Sequence, residues 1–155
     1  MKTRFLLSLC LLFLLSGTTY GQDNKEEQVK AIVESGRFVI LFDRANPATG
    51  RSVMLSPLYE MRFDSTRVSA YLPYFGRSYN APADPRKLAI ELENTEVQTQ
   101  TSFNERKGYS IVFTSKTETN ENITFYLKIT LSGMSTLSIN SSTRQGITYL
   151  GNLKM

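Results

Sequence analysis

The chain of 155 residues has 18 Lys and Arg, 14 Asp and Glu, a formal charge of +4, one cysteine and no histidine. The missing histidine excludes serine–histidine and cysteine–histidine catalysis. Because the basic residues are spread along the chain and form no stripe, we expect no binding to nucleic acid.

Residues 1–21 have the pattern of a secretory signal peptide. Lys2 and Arg4 precede an apolar run over residues 5–15, and small and polar residues follow it. The run is about half the ~20 residues that a membrane-spanning helix requires, so no membrane span is predicted. The sequence therefore predicts cleavage before Gln22 and export, to the periplasm, of one soluble domain covering residues 22–155.

The single cysteine, Cys10, lies inside this leader. As an alternative, Cys10 could be the lipid-anchored first residue, but Leu9 is bulky where a small residue is required. Without the leader the chain has neither cysteine nor histidine, which excludes disulfides and zinc sites of the usual nitrogen and sulfur type. Two of the eighteen basic residues also lie in the leader and all fourteen acids follow it, so the formal charge falls from +4 to +2.

The first segment after the leader predicts a short helix. Asp23 is a candidate N-cap, Glu26 follows three residues later, and Gly36 is a candidate stop signal. The apolar positions form one narrow stripe with i, i+3 and i+4 spacing: Val29, Ile32 and Val33. Such a helix needs a surface to pack on.

From Arg37 onwards the pattern is that of β-strands. Residues 38–42 are continuously apolar, as in a strand buried on both faces, whereas residues 68–72, 88–92 and 122–131 alternate. The polar separators in the second half are too short for helical crossovers, which predicts an antiparallel meander of four or five strands. The expected fold class is α+β, with the N-terminal helix packed on a curled antiparallel β-sheet, either a half-barrel or a sandwich.

Carboxylates are the remaining candidates for catalysis. Glu91 and Glu93 alternate with apolar residues, so we expect them on the solvated face of a strand. Three aspartates beside predicted turns are explained by turn chemistry: Asp43, Asp64 and Asp84. No glycine-rich phosphate loop and no calcium-loop spacing occurs, so neither a metal nor a cofactor is expected.

The segment YLPYFGRSYNAP, residues 71–82, places four aromatic rings and two prolines in an irregular stretch. Pro73 should end the preceding strand, and Gly76 permits a tight bend. Four rings in water would form a larger apolar patch than most soluble monomers carry, so we expect at least two of them to be buried. Tyrosine is also common where its ring is partly buried and its hydroxyl contacts water, which favours a partly exposed platform for a ligand.

This platform supplies the candidate binding residues. Within the segment they are Tyr74, Phe75, Arg77 and Tyr79. An earlier loop around residues 46–50 adds two candidate anion-binding donors, Arg44 and Arg51, although arginines of this kind are commonly solvated or paired at a surface.

Three ordered blocks of the sequence, "DRANPATGRSVML", "YLPYFGRSYNAP" and "LSINSSTRQGITYLG", resemble the Domain of Unknown Function 4251 family of exported bacterial proteins. The resemblance spans nearly the whole chain after the leader. It implies a single exported domain with a leading helix and a β-rich body. It implies no activity, catalytic residue or ligand.

The residue inventory favours a non-catalytic binding or interaction module whose partner is a protein, a glycan or a small molecule. One alternative is a hydrolase or lyase that uses carboxylates and tyrosines, which requires two acids in one pocket. Another is a carrier that encloses a small apolar ligand in the curled sheet, in a cavity lined by residues such as Phe38, Phe113 and Phe125.

Overall fold

The computed structural model describes residues 20–79, 89–116 and 121–155. These residues form one helix, α1 (Tyr20–Glu34), and ten strands: β1 (Arg37–Pro47), β2 (Val53–Met54), β3 (Glu60–Asp64), β4 (Arg67–Leu72), β5 (Ile90–Glu96), β6 (Gln100–Asn104), β7 (Gly108–Lys116), β8 (Asn122–Ile129), β9 (Met134–Ser141) and β10 (Ile147–Leu153). Residues 1–19 of the predicted leader, Asp84 and Leu88 lie outside the described residues, whereas Tyr20 and Gly21, the last two residues of that leader, belong to α1. Within the described ranges, no helix has the length and apolar character needed to cross a membrane.

All strands belong to one antiparallel sheet. Its order is β5-β4-β3-β1-β10-β9-β8-β7-β6, and the two-residue β2 pairs with β1 beside this path. Strands β6 to β10 are consecutive neighbours, which confirms the predicted meander of four or five strands and gives it five. The N-terminal strands join it because β1 pairs with β10.

The sheet curls strongly, and two observations establish this. The two edge strands, β5 and β6, are connected by residues 97–99 alone, so the C-terminal end of one edge lies near the start of the other. The ring centroids of Phe63 on β3 and Phe113 on β7 are 5.8 Å apart, although four strands separate β3 from β7 in the sheet. Of the two predicted forms, a half-barrel or a sandwich, the structure shows a half-barrel.

The core lies on the concave face of this half-barrel. Strand β8 shows why: Ile123, Phe125, Leu127 and Ile129 are all buried, and the residues between them face outwards. This alternation confirms the sequence prediction for β8, including the outward position of Tyr126. The strand ends at Ile129, two residues before the predicted end.

Helix α1 covers one end of the half-barrel. Val29 and Val33 are buried, as the stripe predicted, and the Tyr109 hydroxyl donates a 2.7 Å hydrogen bond to Glu34. Gly36 ends the helix with φ +70°, a conformation that suits glycine. The predicted N-cap is wrong, because the helix begins at Tyr20 and includes Asp23. The residues that precede the apolar stripe carry no pattern from which this start could be read.

Strand β1 differs from its prediction in length and burial. Phe38, Ile40 and Phe42 are buried, while the residues between them are half-buried, so only the inner face is fully covered. A β-bulge after Phe42 places Asp43 inside the strand and not beside a turn. The strand continues to Pro47, where a loop was expected, because β10 continues to pair with it up to Ile147.

The rings that were expected to line a ligand cavity pack against one another. Phe38 stacks on Phe63 with centroids 4.5 Å apart, and Phe113 stacks on Phe125 at 4.6 Å. All four side chains are buried. These rings contribute to the buried core, where they are in contact with one another.

Candidate functional site

Three loops meet at the end of the half-barrel opposite α1. They are the β1–β2 loop (residues 48–52), the stretch after β4 (residues 73–79) and the β9–β10 loop (residues 142–146). Ser78 forms an isolated antiparallel bridge with Arg144, and the Ala48 N–H donates to the Gly146 carbonyl at 3.2 Å. Each loop belongs to one of the three sequence blocks that carry the family resemblance, so the fold brings the three blocks together.

Gln145 links the three loops. Its N–H donates to the Arg77 carbonyl at 2.9 Å, and its own carbonyl accepts from the Tyr74 hydroxyl at 2.7 Å. Its side-chain oxygen accepts from the Thr49 hydroxyl at 3.1 Å and from the Arg77 N–H at 3.3 Å. Residues 73–79, which we call the aromatic segment, are therefore fixed to the sheet through their backbone and through Tyr74.

The aromatic segment is held at its base by two tyrosines. The fully buried Tyr149 donates a 2.9 Å hydrogen bond to the Pro73 carbonyl, where the chain leaves β4. The half-buried Tyr74 packs against the core, and its ring folds back over Gly76. A Cβ at Gly76 would lie 2.3 Å from the Tyr74 hydroxyl oxygen, so glycine is needed there to make room for the ring.

A buried ion pair lies beneath the Tyr74 ring. Glu121 and Arg144, whose side chains are 5% and 7% exposed, form two hydrogen bonds, one of them from Arg144 Nε to Glu121 Oε1 at 2.8 Å. The Ser141 hydroxyl also donates to Glu121. The guanidinium carbon of Arg144 lies 5.0 Å from the centroid of the Tyr74 ring, which is a cation–π contact. We call Glu121, Arg144 and Ser141 the ion-pair cluster.

Two pKa values are shifted at this cluster, by burial and by its charges and hydrogen bonds. Burial raises the pKa of Glu121, but hydrogen bonds from Arg144, Ser141 and Thr143 and the positive charge of Arg144 outweigh it, so the pKa lies below its usual value. Burial also raises the pKa of the Tyr74 hydroxyl, and the nearby guanidinium only partly opposes this. Glu121 is therefore a stable carboxylate at neutral pH and a poor candidate for a general acid.

The other rings of the aromatic stretch remain in solvent. Phe75 is 42% exposed, Tyr79 is 69% exposed, and Tyr71 is 52% exposed on β4, where it stacks on Tyr59 with centroids 6.4 Å apart. The expectation that at least two of the four rings would be buried is wrong, since only Tyr74 packs against the core. The segment lies along the β9–β10 loop at the rim of the sheet, where only one of its rings reaches inwards.

The structure separates the predicted binding residues into two groups. Tyr74, Phe75, Arg77 and Tyr79 share the aromatic segment, with Arg77 exposed. Arg51 is exposed in the β1–β2 loop, two residues after Thr49, and Arg44 is exposed on β1 itself. Among the described residues, no hydrogen bond or ion pair joins Arg44 or Arg51 to the aromatic segment.

Glu91 and Glu93 are exposed on β5, as predicted. Together with Glu60 and Tyr71 they line an open depression of about 350 Å³ on the outside of strands β3 to β5, and Glu60 pairs with Arg62 at 2.7 Å. No group of three potential metal-ligating side chains occurs in the described part of the chain.

Sequence reasoning missed the residues that anchor this site. Glu121, Arg144 and Gln145 lie in stretches that were interpreted only as polar connections between strands. Glu121 and Arg144 are far apart in the chain and meet only because β8 and β9 pair. The one available signal was the position of Arg144 and Gln145 within the third block of the family resemblance.

The fold and the site define a class: a β-rich α+β half-barrel with a helix at one end and anchored, partly exposed aromatic residues at the other. Comparison with known proteins gives the family and the fold. The family model described as "Domain of unknown function (DUF4251)" matches residues 21–153, so the chain belongs to the DUF4251 family.

A solved structure with the same fold is the crystal structure of a DUF4251 family protein from Bacteroides eggerthii. It superposes with a TM-score of 0.58 at 15% identity, covering 83% of this chain and 86% of that one. No curated protein matches the chain. The comparisons therefore establish the family and the fold.

Proposed function

We propose that the protein is an exported, non-catalytic binding module and that the aromatic segment is its contact surface. Phe75 and Tyr79 are the contacting rings, Arg77 is the adjacent charged donor, and Tyr74 forms the base. One observation carries the proposal: two large rings are exposed on a segment that a dense hydrogen-bond network fixes to the sheet.

The anchoring distinguishes this segment from an ordinary surface loop. Exposed aromatic rings lose hydrophobic stabilisation in the free protein, and a contiguous patch of them is uncommon on monomers without a binding role. Rings on a fixed backbone lose little conformational entropy when they bind, which favours affinity. Tyrosine adds a polar edge that can hydrogen-bond to a partner.

Arg44 and Arg51 complete the proposed surface as anion-binding donors at its margin. Arg51 is the better placed of the two, because its loop is attached to Gln145 through Thr49. We expect Arg51→Ala to weaken binding of an anionic partner and Arg44→Ala to have a smaller effect. Equal effects of both substitutions would contradict this assignment.

The two alternatives receive less support. The buried carboxylate of Glu121 is engaged by Arg144. Of the carboxylates that line a common depression, Glu60 is paired with Arg62, and Glu91 and Glu93 are exposed. A pair of catalytic acids would have to converge in one enclosed pocket, whereas this depression is open to solvent. The carrier hypothesis needs a lined cavity, whereas the rings named for it are stacked in the core.

The contact surface is tested by comparing variants for partner capture. Immobilised wild-type protein and the double variant Phe75→Ala/Tyr79→Ala are incubated with periplasmic extract, captured proteins are identified by mass spectrometry, and affinities are measured with the purified partner. The matched control is Tyr126→Ala, because Tyr126 on β8 has a similar exposed fraction, 40%.

We expect the double variant to lose at least about 2 kcal/mol of binding free energy, since aromatic residues at the centre of interfaces often contribute this much. The control should bind like the wild type. Equal binding by all three proteins would refute the assignment. Glycan arrays probed with the same three proteins test the other class of partner.

Export is tested separately. The intact mass and N-terminal sequence of the protein recovered from the periplasm should correspond to a chain that begins at Gln22. A chain that retains residues 1–21, or one that begins with a lipid-modified Cys10, would contradict the proposal.

A further inference from the structure

The two edges of the sheet differ in their protection against pairing with another strand. Edge strand β5 carries Glu91, Glu93 and Glu96, and its pairing with β4 contains a register shift. Asn94, within β5, has φ +45°, which bends the strand locally. Charges and bulges of this kind are the usual means by which edges resist pairing.

Edge strand β6 has none of these features. Its sequence, QTSFN, contains no charged residue and no proline, its pairing with β7 is continuous, and all five residues are exposed. No other described strand pairs with its outer side. The backbone groups along this side are therefore available to a further strand.

We propose that β6 pairs antiparallel with β6 of a second copy of this chain, about a two-fold axis at Ser102. Ser102 then lies opposite Ser102 of the second copy, Thr101 opposite Phe103, and Gln100 opposite Asn104. Residues that lie directly opposite each other in a strand pair must point to the same face of the sheet. The ring of Phe103 packs at a tilt against the buried Tyr109, with centroids 4.8 Å apart, and Thr101 lies on the same side of the strand, so this register satisfies the condition.

The strand is self-complementary in this register, which favours a second copy as the occupant. No like charges are opposed, and the half-exposed ring of Phe103 is covered by a β-branched side chain, which is a favourable cross-strand pair. If the pairing extends outwards, Glu105 faces Thr99 and Arg106 faces Gln98, again without repulsion.

A single strand pair of this length buries less surface than a standard interface, so the dimer should be weak, with a micromolar or higher dissociation constant. This surface lies on the β6–β7 hairpin, at the α1 end of the sheet. It is distinct from the aromatic segment, so a result that refutes one of the two proposals leaves the other unaffected.

Sedimentation equilibrium over a wide concentration range tests the association. The wild type should show a monomer–dimer equilibrium, and Ser102→Lys should raise the dissociation constant at least about tenfold, because it sets two lysines directly opposite each other. The matched control is Glu93→Lys on the protected edge, which should change the constant less than about twofold. A wild type that stays monomeric at millimolar concentration, or equal effects of the two lysines, would overturn the proposal.

Cysteine cross-linking in a Cys10→Ser background tests the register. Cα atoms directly opposite each other in an antiparallel pair lie about 4.5–5.5 Å apart, within disulfide range. Under mild oxidation Ser102→Cys should therefore form a covalent dimer. Thr101→Cys, whose counterpart is a diagonal neighbour at about 7–8 Å, should form much less. A preference for Thr101→Cys, or no cross-link in either variant, would overturn the two-fold at Ser102.

Discussion

Replacing Arg144 with methionine tests the buried ion pair that anchors the aromatic segment. Both partners are almost completely buried, so the variant leaves the Glu121 carboxylate in the protein interior without this guanidinium. Breaking a buried pair from one side typically costs about 3–5 kcal/mol, and the lost contact with Tyr74 adds about 0.5–2 kcal/mol. For a domain of this size the loss corresponds to a fall in melting temperature of roughly 10–20 °C.

A double-mutant cycle separates the interaction free energy between Glu121 and Arg144 from the effects of replacing each residue alone. Removing both charges, in Glu121→Gln/Arg144→Met, leaves no isolated charge, so the double variant should be more stable than Arg144→Met alone. Urea unfolding followed by far-ultraviolet circular dichroism measures all four proteins, since the chain has no tryptophan. A cost below about 1 kcal/mol for Arg144→Met, or costs that simply add, would refute this reasoning.

The same pair predicts a pH dependence. The folded-state pKa of Glu121 is lowered, so its contribution to stability is present above the ordinary carboxyl pKa and is lost as the pH falls through the folded value. In Arg144→Met, burial should instead raise the pKa of Glu121, so the deficit relative to wild type should shrink as the pH falls. A deficit that stays constant from neutral to acid pH would contradict the assignment.

Three further predictions concern side chains that pack beside the pair or the helix. Gly76→Ala should displace the Tyr74 ring and cost about 1–2 kcal/mol through the lost hydrogen bond, measured by urea unfolding; an unchanged midpoint would show that the ring adapts. Tyr149→Phe should cost about 1 kcal/mol, because it removes the donor to the Pro73 carbonyl, and a neutral result would contradict this bond. Burial and the Glu34 carboxylate raise the pKa of Tyr109 to about 12, so stability linked to this phenol is present below the ordinary tyrosine pKa and lost as the pH rises through about 12. Ultraviolet titration of wild type and Tyr109→Phe should differ only in the most alkaline part of the curve, and a difference nearer the ordinary value would be inconsistent with this shift.

The sequence was sufficient to predict the architecture because strand alternation is a local property. Strand β8 shows four buried apolar residues in strict alternation, and the short separators after it permit only antiparallel neighbours. The curl was also foreseeable, since one short helix cannot cover the apolar face of so large a sheet. These inferences require no knowledge of which distant residues meet.

The anchoring of the site depends on tertiary pairing and could not be predicted. Glu121 and Arg144 both lie next to strand ends, and nothing local distinguishes them from the solvated charges of other connections. The burial of the aromatic rings was misjudged for a related reason. The average behaviour of exposed apolar surface favours burial of two or more rings, whereas the position of this segment at the rim allows only Tyr74 to turn inwards.

Different interactions close the two ends of the half-barrel, and the difference is relevant to function. At one end α1 buries Val29 and Val33, so the closure is mainly apolar, with one hydrogen bond from Tyr109 to Glu34 beside it. At the other end a buried ion pair closes the sheet, although well-packed apolar residues would stabilise it as well or better. What charges add is directional geometry: the guanidinium fixes the Tyr74 ring above it, and that ring fixes the backbone carrying the exposed residues. A closure that favours orientation over stability suits a surface that must present Phe75 and Tyr79 in one arrangement.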